Sequence, residues 1–202
     1  SLIETWDSPQ IMVKLAPGVD VNQIEQYGGE VQFISGNGDM KEAVLHLGSE
    51  STGLTAVLLT PESNHIWRRN GAEPDVHIAE PRTWLVEPDP SILRANLVKD
   101  VAHQFNGTML DETIAYFTTS AKPDSVWVRA WQILDWMPFN LKKLKAYLRE
   151  RNIGNITVKK RGSPIMPEEL IQKLKLQGDD TCTLVLTHFH SEPIVIICRN
   201  LI

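Results

Sequence analysis

What this chain has little of narrows its class before any motif is read. It carries 2 cysteines among 202 residues, too few for a disulfide framework. Cys182 and Cys198 flank a hairpin centred near His190 and could face each other across it; a pair of reduced, buried thiols fits the rest of the composition better. There is no long apolar run. The longest, 194–198, has the length of a strand and falls far short of the roughly 20 residues that span a membrane. The first residues, Ser-Leu-Ile-Glu-Thr-Trp, show neither the basic start nor the apolar stretch of a secretory leader. They also lack an initiator Met, which points to a processed or shortened chain. The expectation is a cytoplasmic protein. No repeat or low-complexity tract occurs, and 12 Gly, 12 Pro and 22% charged residues exclude collagen, coiled coil and long disorder. Neither sign of charge dominates: 20 Lys+Arg against 25 Asp+Glu give −5. That total argues against a uniformly basic nucleic-acid binder but is silent on distribution.

Catalytic signatures are missing too. The chain has no Gly-x-Ser-x-Gly, no His-Glu-x-x-His and no phosphate-binding loop ending in Lys. Gly36-Asn37-Gly38 leads into a second strand, so it reads as a hairpin turn. His188 and His190 would share one face of a strand, as a metal pair does, but spacing suggests no third ligand. Glu87 and Asp89 read as a surface acid and a helix cap. The 6 tryptophans, Trp127, Trp131 and Trp136 among them, read as core.

What is present is an ordered run of elements. Strands are expected at 11–15, 30–35, 42–47 and 55–60, with a short helix capped by Asp20 and ended by Gly28-Gly29. The stretch 81–90 reads as a linker or crossover. Asp89-Pro90 then opens a helix with Leu93, Leu97, Val101 and Phe105 on one face, ended by Asn106-Gly107. The last third alternates: a strand over 126–136, a helix capped by Asn140 and closed by Gly154, a strand over 155–160, a helix from Pro167 closed by Gly178, and a hairpin of 183–189 with 193–198. That order, β-α-β-α-β-β, predicts two helices on one face of a small sheet, an α+β arrangement.

Charge is segregated along this order. Residues 141–176 hold ten cations and three acids, a local +7 that leaves −12 for the rest of the chain. At about 100° per residue, Leu141, Leu144 and Leu148 form a stripe to be buried. Lys142, Lys145 and Arg149 fall on a neighbouring stripe about 60° wide, with no acid to offset them. The next strand ends in Lys159-Lys160-Arg161-Gly162. Two basic clusters in one small domain point to phosphate contact, with Gly162 allowing close backbone approach or simply a turn. No catalytic, cofactor or metal ligand is assigned.

Several segments carry a family resemblance. They are Trp84 to Ala95 (WLVEPDPSILRA), Ile114 to Thr118, Pro138 to Lys142, Ile156 to Gly162, Pro167 to Gly178 and Thr183 to Thr187. Together they resemble the C-terminal half of bacterial class I S-adenosylmethionine-dependent methyltransferases with a THUMP-like domain. Val13 to Asp20 looks like a late strand of that family's methyltransferase fold. The resemblance implies terminal strands of a Rossmann-like methyltransferase fold over 1–82, a linker helix region over 83–125 and a THUMP-like domain over 126–202. It also implies that the THUMP-like part holds RNA, tRNA or rRNA. In the family the cofactor loop lies upstream of this region, and this chain has no glycine-rich strand-to-helix loop. The expectation is therefore a fragment that binds no S-adenosylmethionine and is inactive alone, the cofactor belonging to a longer parent with an upstream methyltransferase domain. RNA and that domain are the expected partners, with no membrane and with a homodimer as an option. The competing expectation is a protein-interaction or dimerisation domain whose basic helix meets an acidic partner.

Overall fold

The computed structural model describes residues 8–200. The chain divides into two compact units, Ser1–Pro74 with Pro88–Val101, and Asp75–Glu87 with Ala102–Ile202. Both are mixed α+β and mostly sheet.

The first unit is built on β1 (Ile11–Leu15), β2 (Glu30–Gly36), β3 (Asp39–Leu47), β4 (Gly53–Leu59) and β5 (Asn64–Arg68), in the order β1-β3-β2-β4-β5. β2 and β4 are parallel and the other neighbours antiparallel. The β2–β3 turn places Asn37 and Gly38 at φ 56° and 80°, the left-handed pair that fits a tight hairpin. The expected helix after Asp20 is reduced to two 3-10 turns, Val21–Gln23 and Glu25–Tyr27. α1 (Pro90–Arg94) starts where Asp89-Pro90 predicts. Asp89 Oδ1 accepts from the Ser91 amide at 2.9 Å, the Ser91 hydroxyl at 2.6 Å and the Ser35 hydroxyl at 2.5 Å. The cap therefore also ties the helix to β2. The apolar face expected from Leu93 to Phe105 does not form one helix. Asn96 adopts φ 56°, a conformation Asn tolerates better than most residues, and it separates α1 from α2 (Val98–Gln104).

The second unit contains β6 (Trp84–Pro88), β7 (Thr108–Met109), β8 (Phe117–Thr119), β9 (Val128–Pro138), α3 (Leu141–Glu150), β10 (Ile153–Lys160), α4 (Pro167–Leu174), β11 (Asp180–Phe189) and β12 (Glu192–Cys198). Sheet order is β10-β11-β12-β9-β6-β8-β7. β10 runs parallel to β11, while β11–β12, β12–β9, β6–β8 and β7–β8 are antiparallel. β6 corrects the expected 81–90 linker: buried Leu85 and Val86 make it a strand despite the flanking prolines. The stretch 83–125 carries β6, β7 and β8 beside its helices.

The predicted β-α-β-α-β-β order is present from β9 to β12. Asn140 caps α3 by accepting from the Lys143 amide at 3.0 Å. The helix ends differ from expectation. Asn152 (φ 53°) and Lys175 (φ 46°) take the left-handed positions, not Gly154 and Gly178. Those glycines serve a close backbone crossing instead: a Cβ at Gly154 would collide with the Gly178 carbonyl oxygen.

Both faces of the β10–β11–β12 sheet are covered. Leu144, Leu148, Leu170 and Leu174 of α3 and α4 pack on Cys182, Leu184, Leu186, Val195 and Ile197. The other face, Val185, Ile194, Ile196 and Cys198, meets Leu85, Leu110, Ile114, Tyr116 and Trp131. Cys182 and Cys198 thus belong to opposite faces, and the register sets Cys198 against Thr183. The cross-hairpin pairing is excluded. Both thiols are free and buried, and burial pushes them up to about 11 and about 12.

Candidate nucleic-acid interface

α3 places its three predicted cations as the helical period requires. Leu144 and Leu148 are fully buried, which fixes the helix's rotation. Lys142 and Arg149 are then exposed and Lys145 half-buried. Lys145 Nζ approaches the Lys173 carbonyl oxygen at the end of α4 (3.4 Å), where the helix dipole favours a cation. Among the described residues Lys142, Lys143 and Arg149 have no carboxylate partner. Three uncompensated cations on a short helix repel one another, so the arrangement suits a polyanion.

β10 divides the second basic cluster between its two faces. Ile156 and Val158 pack with the α3–α4 core, so Lys160 lies on that side, with Nζ 3.1 Å from Met166 Sδ. Lys159 and Arg161 point the other way. There Lys159 Nζ donates to Glu87 Oε2 at 2.8 Å, and Arg161 approaches Glu87 Oε1 at 3.5 Å. Lys159 sits over the Trp131 ring, 4.3 Å from its centroid, and Arg161 over the Tyr116 ring at 5.0 Å. The Tyr116 hydroxyl reaches Glu87 Oε1 at 3.3 Å. Glu87 is therefore no surface acid. Its side chain is 18% exposed and it joins the end of β6 to the end of β10. Burial, with Glu87 alongside, pushes the Tyr116 phenol up to about 12. Sequence reasoning missed this clamp because Glu87 lies 72 residues from Lys159.

Gly162 follows at φ 85°, and a Cβ there would lie 2.6 Å from Ile114 Cδ1 and 3.1 Å from His188 Nδ1. Packing and backbone conformation are enough to require glycine. His188 is on β11, whereas His190 is in the β11–β12 turn, and the described residues contain no cluster of three His, Cys, Asp or Glu placed to hold a metal ion. That turn is unusual. His190 and Ser191 both have positive φ, 47° and 65°, which costs a non-glycine residue about 1–2 kcal/mol. The His190 amide donates to the Leu110 carbonyl at 3.2 Å and the Ser191 amide to Asp111 Oδ2 at 2.6 Å. Asp111 is 3% exposed. Desolvation alone would raise its pKa, but the hydrogen bonds from Thr113 and Ser191 and the nearby His188 hold it below the usual carboxylate range.

Residues 128–200 match the family described as THUMP domain-like. This THUMP-like segment runs from β9 through β12 and contains every residue of both basic clusters. Two uncharacterized S-adenosylmethionine-dependent methyltransferases of Mycobacterium tuberculosis, from strains CDC 1551 / Oshkosh and ATCC 25618 / H37Rv, are each 28% identical to the chain over 190 residues. The match covers 92% of this chain and 52% of the relative, so the chain spans about half the length of these relatives. The crystal structure of a protein from Porphyromonas gingivalis W83, provisionally assigned as a methyltransferase, shares the fold. Its TM-score is 0.75 at 21% identity, over 96% of this chain and 51% of that one. The chain is thus similar in sequence to two proteins named as S-adenosylmethionine-dependent methyltransferases and shares its fold with a third protein. No helix among the described residues is long and apolar enough to cross a membrane.

The cofactor of those relatives needs a glycine-rich strand-to-helix turn whose amides meet it. The junctions before α1, α3 and α4 read Asp89, Phe139-Asn140 and Arg161 to Met166, with Gly162 their single glycine. These residues do not fit that role, and no chemical step is assigned through the cofactor.

Proposed function

We propose that this chain is the C-terminal, RNA-holding region of a longer S-adenosylmethionine-dependent RNA methyltransferase. In this reading the THUMP-like segment grips RNA for a cofactor-binding half outside the chain. The first unit contributes the last strands of the methyltransferase fold, and the fragment alone transfers no methyl group. The observation that carries the reading is the α3 stripe of Lys142, Lys145 and Arg149, anchored by buried leucines and unpaired with any carboxylate among the described residues. Lys160 adds charge on the same side of the sheet. Lys159 and Arg161 contribute less, because Glu87 offsets part of their charge. The match to the THUMP-like family favours RNA over another polyanion, and the names of the relatives supply the methyltransferase part of the reading.

Fluorescence anisotropy with a labelled, structured RNA tests this across a salt series. Binding weakens steeply as salt rises, with a log–log slope of about −0.7 to −0.9 per phosphate neutralised. Lys142→Glu with Lys145→Glu and Arg149→Glu abolishes it. Unchanged affinity in that triple variant rejects the interface.

A further inference from the structure

We propose that the tip of the β11–β12 hairpin is a stacking site for an unpaired base of RNA, with the rings of Phe189 and His190 as its platform. This inference rests on the RNA reading and adds a second, chemically different contact to it.

The backbone supplies the first observation. A two-residue turn with positive φ at both positions is met most easily by glycine or asparagine. This turn uses His190 and Ser191 (φ 47° and 65°). The structure over-determines that strained conformation, since the Leu110 carbonyl and the buried Asp111 carboxylate hold the two turn amides. Nothing in the turn's geometry needs an imidazole, and a glycine would satisfy it better. The ring is therefore surplus to the fold, and strain kept at such a position points to function.

The rings supply the second. Phe189 and His190 have centroids 4.6 Å apart at an interplanar angle of 58°, and Phe189 meets Trp136 edge-on at 5.8 Å. Trp136 and Phe189 are half-buried and His190 is exposed. The half-buried pair fixes the run of three rings while its outer member stays open to solvent.

Location supplies the third. The Arg161 amide donates to the Leu186 carbonyl at 3.0 Å, and Gly162 lies against His188. The end of Lys159-Lys160-Arg161 thus runs beside the hairpin tip. Lys159 and Arg161 are the cations on this side of β10, with Glu87 offsetting part of their charge, and the exposed ring beside them is that of His190. Cations that follow a backbone and rings that receive bases are the combination by which proteins hold unpaired nucleic acid.

His190→Gly in the full chain separates the ring from the fold, because glycine relieves the turn. Its Tm should not fall. Affinity for a labelled oligoadenylate of about 12 nucleotides should drop about tenfold, while affinity for a duplex of equal length stays the same. His190→Tyr, which restores a ring, should bind within about twofold of the parent. Equal oligoadenylate affinity in His190→Gly and the parent overturns the stacking site, and so does an equal loss for duplex and single strand. If His190→Gly binds normally while the α3 triple variant does not, the stacking site fails and the RNA reading stands. If the parent chain binds neither RNA, both fail.

Discussion

Glu87→Gln is the sharpest perturbation of the second unit, because it removes one charge and almost no volume. Glu87 receives Lys159 at 2.8 Å, Tyr116 at 3.3 Å and Arg161 at 3.5 Å, and its side chain is 18% exposed against 31% for each cation. A fully exposed ion pair contributes about 0–1 kcal/mol, and breaking a fully buried one costs about 3–5 kcal/mol. This pair lies between. One short ion pair dominates, and Lys159 keeps its place over Trp131 after the substitution, so the expected loss is about 2 kcal/mol. With an m-value of about 2 kcal/mol/M, the urea midpoint falls by about 1 M. Tryptophan fluorescence follows it, since Trp131 lies directly under Lys159. RNA affinity should move the other way, because two cations lose their internal counter-charge and become available to phosphate. A stability loss below about 0.5 kcal/mol would show that Glu87 does not join the two strand ends. A fall in RNA affinity at unchanged stability would instead make Glu87 itself an RNA-touching residue.

Two further predictions test the surroundings of that clamp. Gly162→Ala places a methyl group 2.6 Å from Ile114 Cδ1 in a φ 85° backbone; it should cost about 2–3 kcal/mol by urea unfolding, and a neutral result would remove the packing argument for this glycine. Tyr116, raised to about 12 by burial and by Glu87, favours its neutral form when folded. Its stability contribution is therefore complete below about pH 10, the value in the unfolded chain, and is lost as pH climbs to about 12, a drop of about 3 kcal/mol. Ultraviolet titration of the phenols, compared with Tyr116→Phe, reads this directly, and a Tyr116 midpoint near 10 would contradict it.

Local chemistry makes much of the fold legible. Asn140, Asp89-Pro90 and Asn37-Gly38 act through neighbours two or three residues away, and each forms the cap or turn its sequence announces. The sequence misleads where a residue's role is set from a distance. Gly154 and Gly178 look like helix ends, but they exist to let two backbones cross. β6 sits between prolines and is made a strand by its neighbours. Glu87 looks like a loop acid, and only its pairing with Lys159 and Arg161, at the ends of β6 and β10, reveals otherwise. In the candidate interface, helical spacing puts Lys142, Lys145 and Arg149 on one stripe of α3. The run Lys159-Lys160-Arg161 reads as one patch, although strand alternation sends its neighbours to opposite faces. The strained turn leaves no trace in the sequence, since neither His190 nor Ser191 announces a positive φ.

The split of that run changes what the local +7 means physically. Charge on the α3 side, Lys142, Lys145, Arg149 and Lys160, is not offset by carboxylates among the described residues. Charge on the other side is partly cancelled by Glu87 and lies beside aromatic rings. The first kind of surface acts by counterion release and is written in the salt slope; the second acts by stacking, which hardly depends on salt. The two contributions are therefore separable in one titration series. Charge reversal on α3 should flatten the slope of log affinity against log salt, by about 0.7 to 0.9 for each phosphate that the helix no longer neutralises. His190→Gly should lower the whole line and leave its slope unchanged. A parallel shift from the α3 variant, or a flattened slope from His190→Gly, would mean that the two faces of the sheet do not divide the work in this way.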